Sequence, residues 1–327
     1  MRVAMFAGIE PDLEAVEGLL VSETRSDVGA VRDISGHTLL SGGKRLRPAL
    51  AVLGARIIGR AYPAERVRAA AAAAEMIHMA TLMHDDVVDE SAARRGRSTA
   101  NSVFGNAITV LTGDFLLAKA ISMLAHNDEN LRIVRVFADV TVSMAEGEVL
   151  QAAIAHDADI RVETYEEVIE RKTARFLAGC CETGGLLGGA DAEEALALRA
   201  YGHHLGMAFQ IADDQLDFLG DPKKTGKALG ADLRDGRVTL PFLHALQAAD
   251  TDAQAFLRDA VSRRDRITDS DIAAVTATIA RYGGFAAASA VAEARAERAV
   301  EALARFPAGP TRTSLEDLAR YVTSRDR

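Results

Sequence analysis

Apolar residues recur at three- and four-residue spacing along nearly the whole chain, and this periodicity is the strongest constraint on its fold. Leu13, Val16 and Leu20 show it near the N-terminus, and Phe137 and Val140 show it further along. Such spacing places apolar side chains on one face of an amphipathic helix. Strand signals are scarce, because aromatic residues make up only 5% of the chain and tryptophan is absent. We therefore predict an all-α fold.

The pattern predicts twelve helices joined by short linkers, and no Pro/Gly/Ser-rich stretch suggests a domain border. We therefore predict a single helical domain over residues 1–327. The long apolar helices of the middle region, residues 64–219, could surround a substrate. The predicted helices cover residues 10–24, 28–41, 46–60, 64–91, 99–125, 129–155, 162–187, 191–219, 238–248, 252–263, 269–304 and 313–325.

The composition excludes several classes of protein. The formal net charge is -9 and the pI is near 5.5, whereas a nucleic-acid-binding protein is more often basic. No signal segment and no uninterrupted membrane span are evident. The two cysteines, Cys180 and Cys181, are adjacent, which suits neither a disulfide framework nor a zinc site. We expect a cytoplasmic protein whose cysteines are small buried residues.

Two aspartate clusters stand out, each behind an apolar helical segment. Residues four apart on a helix share a face, so the first and last aspartates of each cluster lie one turn apart. Oxygen ligands with room for water suit Mg²⁺, which completes its shell with substrate phosphates. One such cluster alone is more often a solvated acidic surface, but a pair suggests a clamp that holds a diphosphate through shared metals. The clusters are Asp85, Asp86 and Asp89, then Asp213, Asp214 and Asp217.

Basic residues accompany the acidic ones. The turn GGKRLRP, residues 42–48, has three cations and two glycines; a nuclear localisation signal is conceivable, but phosphate capture is favoured in an acidic protein. Arg94, Arg95 and Arg97 are predicted to end the helix of the first cluster, where they would also suit the helix dipole. His78 lies two turns before Asp85 on the same helix, although a lone histidine there is more often a core residue.

At this point the chain resembles a known family, the trans-isoprenyl diphosphate synthases, nearly end to end. The stretches that carry the resemblance are GGKRLRP, IHMATLMHDDVVDESAARRGRSTAN, GDFLLAKA, MAEGEVLQ, RKTA, FQIADDQLDFLGD, GKALGADLRDGRVTLP and SLEDLARYVTSRDR. It implies a helical bundle of the isoprenoid synthase type with a central substrate tunnel. It also implies an enzyme that condenses isopentenyl diphosphate with an allylic diphosphate, farnesyl or geranylgeranyl, using about three Mg²⁺ ions.

The resemblance also assigns roles to residues. Asp85, Asp89 and Asp213 would coordinate Mg²⁺, and Asp86, Asp214 and Asp217 would coordinate it or orient its waters. The allylic diphosphate would be held by Arg94, Lys172, Lys227 and Arg237, the last at a position where family members often carry Lys. Isopentenyl diphosphate would be held by Lys44, Arg47, His78 and Arg95. Thr173 and Gln210 would face the reacting carbons.

Product length should depend on the residues just before the first cluster. Ala80 lies five residues before Asp85, or ~7.5 Å along a helix, and Thr81 follows it. Members with short products often carry an aromatic residue at that level, so the small side chains imply an open tunnel and a product of about C30 to C50. Ile77 and Met76 on the same helix, and Met123 and Leu124 on a neighbouring one, are candidates for the tunnel floor.

Several alternatives stay open. A short-chain farnesyl or geranylgeranyl diphosphate synthase would differ only in tunnel depth. A class I terpene cyclase usually replaces the second cluster with a mixed metal site, and a non-catalytic partner subunit would have lost site residues. The resemblance implies a homodimer, with which the apolar helix around residues 102–125 is compatible. A weak membrane association for releasing the product also rests on resemblance alone.

Overall fold

The computed structural model of the protein describes residue 6 and residues 8–40, 42–94, 96–126, 131–220, 229–263 and 266–324. Within these ranges, helices dominate and the only strands form a two-residue hairpin, so the all-α prediction is confirmed. The helices are α1 Glu10–Glu23, α2 Gly29–Leu40, α3 Leu46–Arg56, α4 Ala64–Val88, α5 Ala100–Phe104, α6 Asn106–His126, α7 Arg132–Ala153, α8 Val162–Ile169, α9 Arg175–Leu187, α10 Ala192–Leu219, α11 Ala231–Arg234, α12 Leu240–Ala248, α13 Thr251–Ser262, α14 Asp269–Arg281, α15 Gly284–Ala302 and α16 Pro310–Thr323.

The predicted helix boundaries differ from the observed ones at two glycines. The predicted helix 99–125 is divided at Gly105 and the predicted helix 269–304 ends its first part before Gly283. Both glycines have positive φ angles, +86° and +71°, which a continuous right-handed helix cannot contain. The antiparallel hairpin of β1 Ala93–Arg94 and β2 Arg97–Ser98 and the short helix α11 were not predicted.

The chain divides into two compact units, and the single-domain organisation stays a prediction. The first unit comprises Met1–Thr141, Leu177–Gly202 and Ala302–Asp317. Its centre is α4, which packs most extensively against α6 and also against α3 and α1. The alanines at 70–74 are buried, which allows neighbouring helices to approach closely. Cys180 and Cys181 are buried and free, as predicted.

The second unit comprises Val142–Phe176, His203–Glu301 and Leu318–Arg327. Its hydrophobic core draws side chains from α8, α10 and the helices α12 to α15. Phe218 and Phe285 meet there edge to face, with ring centroids 6.0 Å apart. This core fixes α10, which carries Gln210 and the second aspartate cluster, and α8, which leads into the turn with Lys172 and Thr173.

Among the described residues, one helix, α6, is long and apolar enough to cross a bilayer by length and composition, with a mean hydropathy of 1.6 over its most apolar 18 residues. A third of those residues are buried within the protein, and the helix contains the charged residues Asp114 and Lys119. Lys119 pairs with Glu23 of α1 at 3.1 Å.

Candidate active site

The first aspartate cluster ends α4, in the first unit. Asp85 lies in the last turn, and the backbone N–H of Asp89, the residue that follows the helix, donates to the carbonyl of Asp85 over 2.8 Å. The two therefore lie one turn apart, as the spacing predicted. Asp89 is exposed and Asp85 is half-buried, whereas Asp86 is only 6% exposed.

The buried Asp86 pairs with a cation from the hairpin. Nε of Arg94 donates to Oδ1 of Asp86 over 2.8 Å. The prediction that Arg94 and Arg97 end the helix is wrong: α4 stops at Val88, Glu90 takes a positive φ of 49°, and the two arginines pair across the hairpin. A left-handed residue directs the chain out of the helix and back over its end. Arg95 lies outside the described residues.

A cavity that is open to solvent lies beside this end of α4 and has a volume of about 550 Å³. The predicted site residues His78, Asp86 and Arg94 line it, and His78 is half-buried. The first unit therefore brings these three predicted residues together around one cavity. Gly42 and Arg45 of the GGKRLRP turn line it too.

The side chain of Arg45, for which no individual role was predicted, holds that turn to α4. Arg45 has a positive φ of 50° and precedes α3; its guanidinium donates to Glu17 over 2.6 Å and to Glu75 over 2.8 Å. Glu75 is only 4% exposed, so the pair neutralises a buried charge. Lys44 is exposed, and Arg47 is half-buried in the first turn of α3, where Pro48 follows it.

The second cluster lies near the end of α10, in the second unit. Asp213 is exposed, whereas Asp214 is 5% exposed and both of its carboxylate oxygens accept hydrogen bonds. The Tyr165 hydroxyl donates to Oδ2 over 2.6 Å, and Nε2 of Gln210 donates to Oδ1 over 2.8 Å. Burial and the charge of Asp232 raise the pKa of Asp214, and the two hydrogen bonds oppose that rise.

Asp217 caps the short helix α11. Its Oδ1 and Oδ2 accept from the backbone N–H groups of Ala231 and Asp232, each over 3.1 Å, and its carbonyl accepts from Gly230 over 2.8 Å. Asp217 therefore ties the start of α11 to the end of α10. Lys227 lies outside the described residues.

Lys172 and Thr173 lie in a π-helical turn, Glu170–Ala174, between α8 and α9. Such turns are rare and often occur at functional sites, because one extra residue per turn shifts the direction of the side chains. The Lys172 ammonium lies 2.7 Å from Glu148 and 3.0 Å from Gln151 on α7. The Thr173 hydroxyl donates to Oε1 of Gln210 over 2.9 Å.

Two glycines allow neighbouring helices to pack against this turn. A Cβ on Gly147 of α7 would lie 2.9 Å from Cβ of Arg171 and from Cγ of Lys172. A Cβ on Gly206 of α10 would lie 2.5 Å from Cα of Ala174. The π turn is thus held on two sides by contacts that have no room for a further carbon.

Arg237 follows α11 and lies among carboxylates. Its Nη1 lies 3.6 Å from Asp232 and 3.5 Å from Asp235, and its backbone N–H donates to the carbonyl of Asp232 over 2.7 Å. Since the side chain is about a quarter exposed, its charge stays accessible from solvent.

The residues predicted to set product length lie in the middle of α4. Ile77 and Ala80 are buried, and Thr81 is half-buried with its hydroxyl bonded to the carbonyl of His78 over 2.9 Å. The helix that packs most extensively on α4 is α6, which carries the other two floor candidates, Met123 and Leu124. Their part in a tunnel stays a prediction.

Sequence reasoning missed the partners of the predicted site residues. Arg45 belongs to GGKRLRP, and Glu148 and Gln151 belong to MAEGEVLQ, but no individual role was predicted for any of the three. Tyr165 gave no signal at all, because 49 residues separate it from Asp214. Within the part of the chain that the structure describes, no group of three or more His, Cys, Asp or Glu side chains could by itself hold a metal ion.

Comparisons with known proteins agree with this picture. The family model described as Polyprenyl synthetase matches residues 29–279. An octaprenyl diphosphate synthase of Escherichia coli (strain K12) is 38% identical over 97% of this chain and 96% of its own length. The heptaprenyl diphosphate synthase component 2 of Geobacillus stearothermophilus is 37% identical over 99% and 98%.

A solved structure is equally similar. The polyprenyl synthase of Caulobacter crescentus CB15, crystallised with calcium and isoprenyl diphosphate, has a TM-score of 0.94 and 38% identity, and the match covers 99% of this chain and 98% of that one. The similarity therefore extends over nearly the whole length of both chains.

Proposed function

Because the chain belongs to the polyprenyl synthetase family, we propose that it is a prenyltransferase that condenses isopentenyl diphosphate with an allylic diphosphate and releases pyrophosphate. The product is a long-chain all-trans polyprenyl diphosphate, as in the octaprenyl and heptaprenyl relatives. The allylic starter is farnesyl or geranylgeranyl diphosphate. The family and the fold class predicted from the sequence are confirmed.

The observation that carries the proposal is the different environment of the aspartates within each cluster. Asp89 and Asp213 are exposed and Asp85 is half-buried, whereas Asp86, Asp214 and Asp217 accept from protein donors. Accessible carboxylates with room for water fit Mg²⁺, which keeps several waters in its shell. The donor set therefore fits the metal, and Asp85, Asp89 and Asp213 are the residues that would hold it.

When bound, Mg²⁺ would supply positive charge that stabilises a diphosphate leaving group. The protein's own cations add to this charge: Arg94, Lys172 and Arg237 hold the allylic diphosphate, with Lys227 as a further candidate. Lys44, Arg47 and His78, with Arg95, hold isopentenyl diphosphate. Glu148 and Gln151 fix the position of Lys172, because a flexible ammonium would otherwise lose conformational entropy on binding.

Thr173 and Gln210 act at the reacting carbons. Ionisation of the allylic C–O bond leaves a carbocation, which the double bond of isopentenyl diphosphate attacks before a proton is lost. Hydroxyl and amide oxygens stabilise a cation through their dipoles. The hydrogen bond between the two side chains holds both in place while the charge develops.

We also propose that the enzyme is a homodimer that uses the exposed apolar stripe of α6. Ile108, Leu111 and Ile121 are exposed by 44%, 66% and 45%, and all three lie within one half of the helix surface, an arc of about 140°. A second copy of this helix would cover the stripe from water. The buried reduced cysteines fit the cytoplasmic location predicted from the sequence.

The test is a product analysis. Purified protein is incubated with Mg²⁺, isopentenyl diphosphate and farnesyl diphosphate, and the dephosphorylated products are sized by mass spectrometry, with and without excess EDTA. We expect a ladder that reaches about C30 or beyond and that EDTA abolishes. A product that stops at about C20 would indicate the short-chain alternative, and no turnover with farnesyl or geranylgeranyl diphosphate would support a non-catalytic partner subunit.

A further inference from the structure

A row of four hydrogen-bonded side chains begins in the core of the second unit and ends at Thr173. The Tyr165 hydroxyl donates to Asp214, Gln210 donates to the other oxygen of Asp214, and Thr173 donates to Gln210, over 2.6, 2.8 and 2.9 Å. We infer that Tyr165 is a positioning residue: through Asp214 it fixes the orientation of the Gln210 amide and the Thr173 hydroxyl for the prenyl transfer. The inference rests on the function proposed above and goes beyond it.

The row has a defined direction. The Gln210 side chain turns its NH₂ group, which only donates, towards Asp214. Its oxygen then faces Thr173, and the Thr173 hydroxyl must donate to it. The hydroxyl proton of Thr173 is therefore engaged by Gln210. The lone pairs of the hydroxyl oxygen point in other directions. A hydroxyl held this way offers the negative end of its dipole, which stabilises a carbocation.

The buried end of the row is rigid. Tyr165 is 4% exposed, and the core around it includes Ile169, Ala174 and Ile211. A side chain packed this closely has few alternative rotamers, so its hydroxyl marks a fixed point. Thr173 and Gln210 are only half-buried, so without this fixed point they would have more freedom.

This assignment separates Asp214 from its neighbour Asp213. Asp213 is exposed, as a ligand for a hydrated metal should be, whereas both oxygens of Asp214 are turned to protein donors. If Asp214 serves the amide rather than the metal, weakening its hydrogen bonds should lower the rate of the chemical step and leave metal and substrate affinity unchanged.

The test is Tyr165→Phe, which removes one hydroxyl and keeps the ring. Tyr201→Phe is the matched control, because Tyr201 is also fully buried and its hydroxyl also makes one hydrogen bond, to the carbonyl of Leu315 over 2.8 Å in the other unit. We expect similar losses of thermal stability in both variants. Only Tyr165→Phe should lower kcat, by about tenfold, with KM for both substrates and the Mg²⁺ concentration for half-maximal activity unchanged.

A double-mutant cycle with Gln210→Ala shows whether Tyr165 acts through the amide. In the Gln210→Ala background Tyr165→Phe should have no further effect on kcat, because the group that it positions is gone. Should Tyr165→Phe not fold, Asp214→Asn replaces it in the same cycle, since it keeps the side-chain volume and the same outcomes are expected.

Three results would overturn the inference. A kcat equal to that of the wild type would make Tyr165 purely structural, a higher Mg²⁺ requirement would make Asp214 part of the metal site, and additive effects in the cycle would exclude action through Gln210. In each case the wild type still elongates prenyl chains. A wild type without any such activity would instead refute the proposed function.

Discussion

The guanidinium of Arg45 and the buried carboxylate of Glu75 are joined by a 2.8 Å hydrogen bond that ties the GGKRLRP turn to the helix carrying the first aspartate cluster. Both side chains are largely buried: 11% of the Arg45 side chain and 5% of the Glu75 side chain are exposed. The bond therefore joins the turn that we propose captures phosphate to the helix that carries the proposed metal ligands Asp85 and Asp89. It also makes Arg45, whose φ angle is positive, the residue on which the shape of the turn depends.

Replacement of Arg45 by Met should be strongly destabilising. It leaves the Glu75 charge buried without its partner, which costs roughly 3–5 kcal/mol of unfolding free energy. Arg305→Met removes a solvent-exposed pair with Glu193 and should change stability little. Urea denaturation measures both. Adding Glu75→Gln to Arg45→Met should restore part of the loss, and a double variant no more stable than Arg45→Met would show that the buried charge is not the cause.

Gly206 should tolerate alanine far less than its helical position suggests. By propensity alone, Gly→Ala inside a helix stabilises by about 1 kcal/mol, which is the result expected for Gly18→Ala in α1, where a Cβ meets open space. At Gly206 the added carbon meets Ala174, so we expect a loss of roughly 1–3 kcal/mol in urea denaturation. A stabilised Gly206→Ala variant would mean that the π turn moves freely and is not held by this contact.

The sequence predicted most of the fold and much less of the site, for a physical reason. Helical periodicity is local, so most helices were found, whereas their ends were often misplaced, as at Gly105 and Gly283 and beside Glu90, where the backbone turns left-handed. The hairpin at Arg94 has two residues per strand, too few to show any periodicity, and the π turn at Lys172 differs from an α-helix by one residue. The aspartate spacing was correct, but which aspartate is buried depends on Arg94 and on Tyr165, and no local pattern contains those contacts.

His204 should make stability depend on pH. Burial lowers the pKa of its imidazole to about 4, and the charges of His203, Arg295 and Arg298 act in the same direction. Between pH 6.5 and about pH 4 the unfolded chain therefore binds a proton that the folded protein does not, so stability falls as pH falls through this window. The urea concentration at the unfolding midpoint should therefore be lower at about pH 5 than at about pH 7.5. His204→Gln should make this difference smaller. An equal loss in the variant would show that His204 is not responsible.

Leu111 should be essential for self-association. It lies on the exposed apolar stripe of α6, and a Glu there would place a charge in the covered interface. Leu111→Glu should sediment as a monomer while the wild type sediments as a dimer. Leu196→Glu is a matched control, because Leu196 on α10 is also 66% exposed but lies off the stripe. A monomeric wild type, or a dimeric Leu111→Glu variant, would contradict this interface.

An aromatic residue at Ala80 should shorten the product. Ala80 is buried on α4, ~7.5 Å before Asp85, and a ring there would close a passage that runs along this helix. Ala80→Tyr should therefore move the mass-spectrometric ladder to shorter chains while it keeps prenyl transfer, with circular dichroism to confirm that the variant is folded. Leu196→Tyr, which adds a ring at an exposed position on α10, is the control and should leave the ladder unchanged. If folded and active Ala80→Tyr gives the wild-type ladder, the growing chain does not pass this position, and its length must be set by other residues.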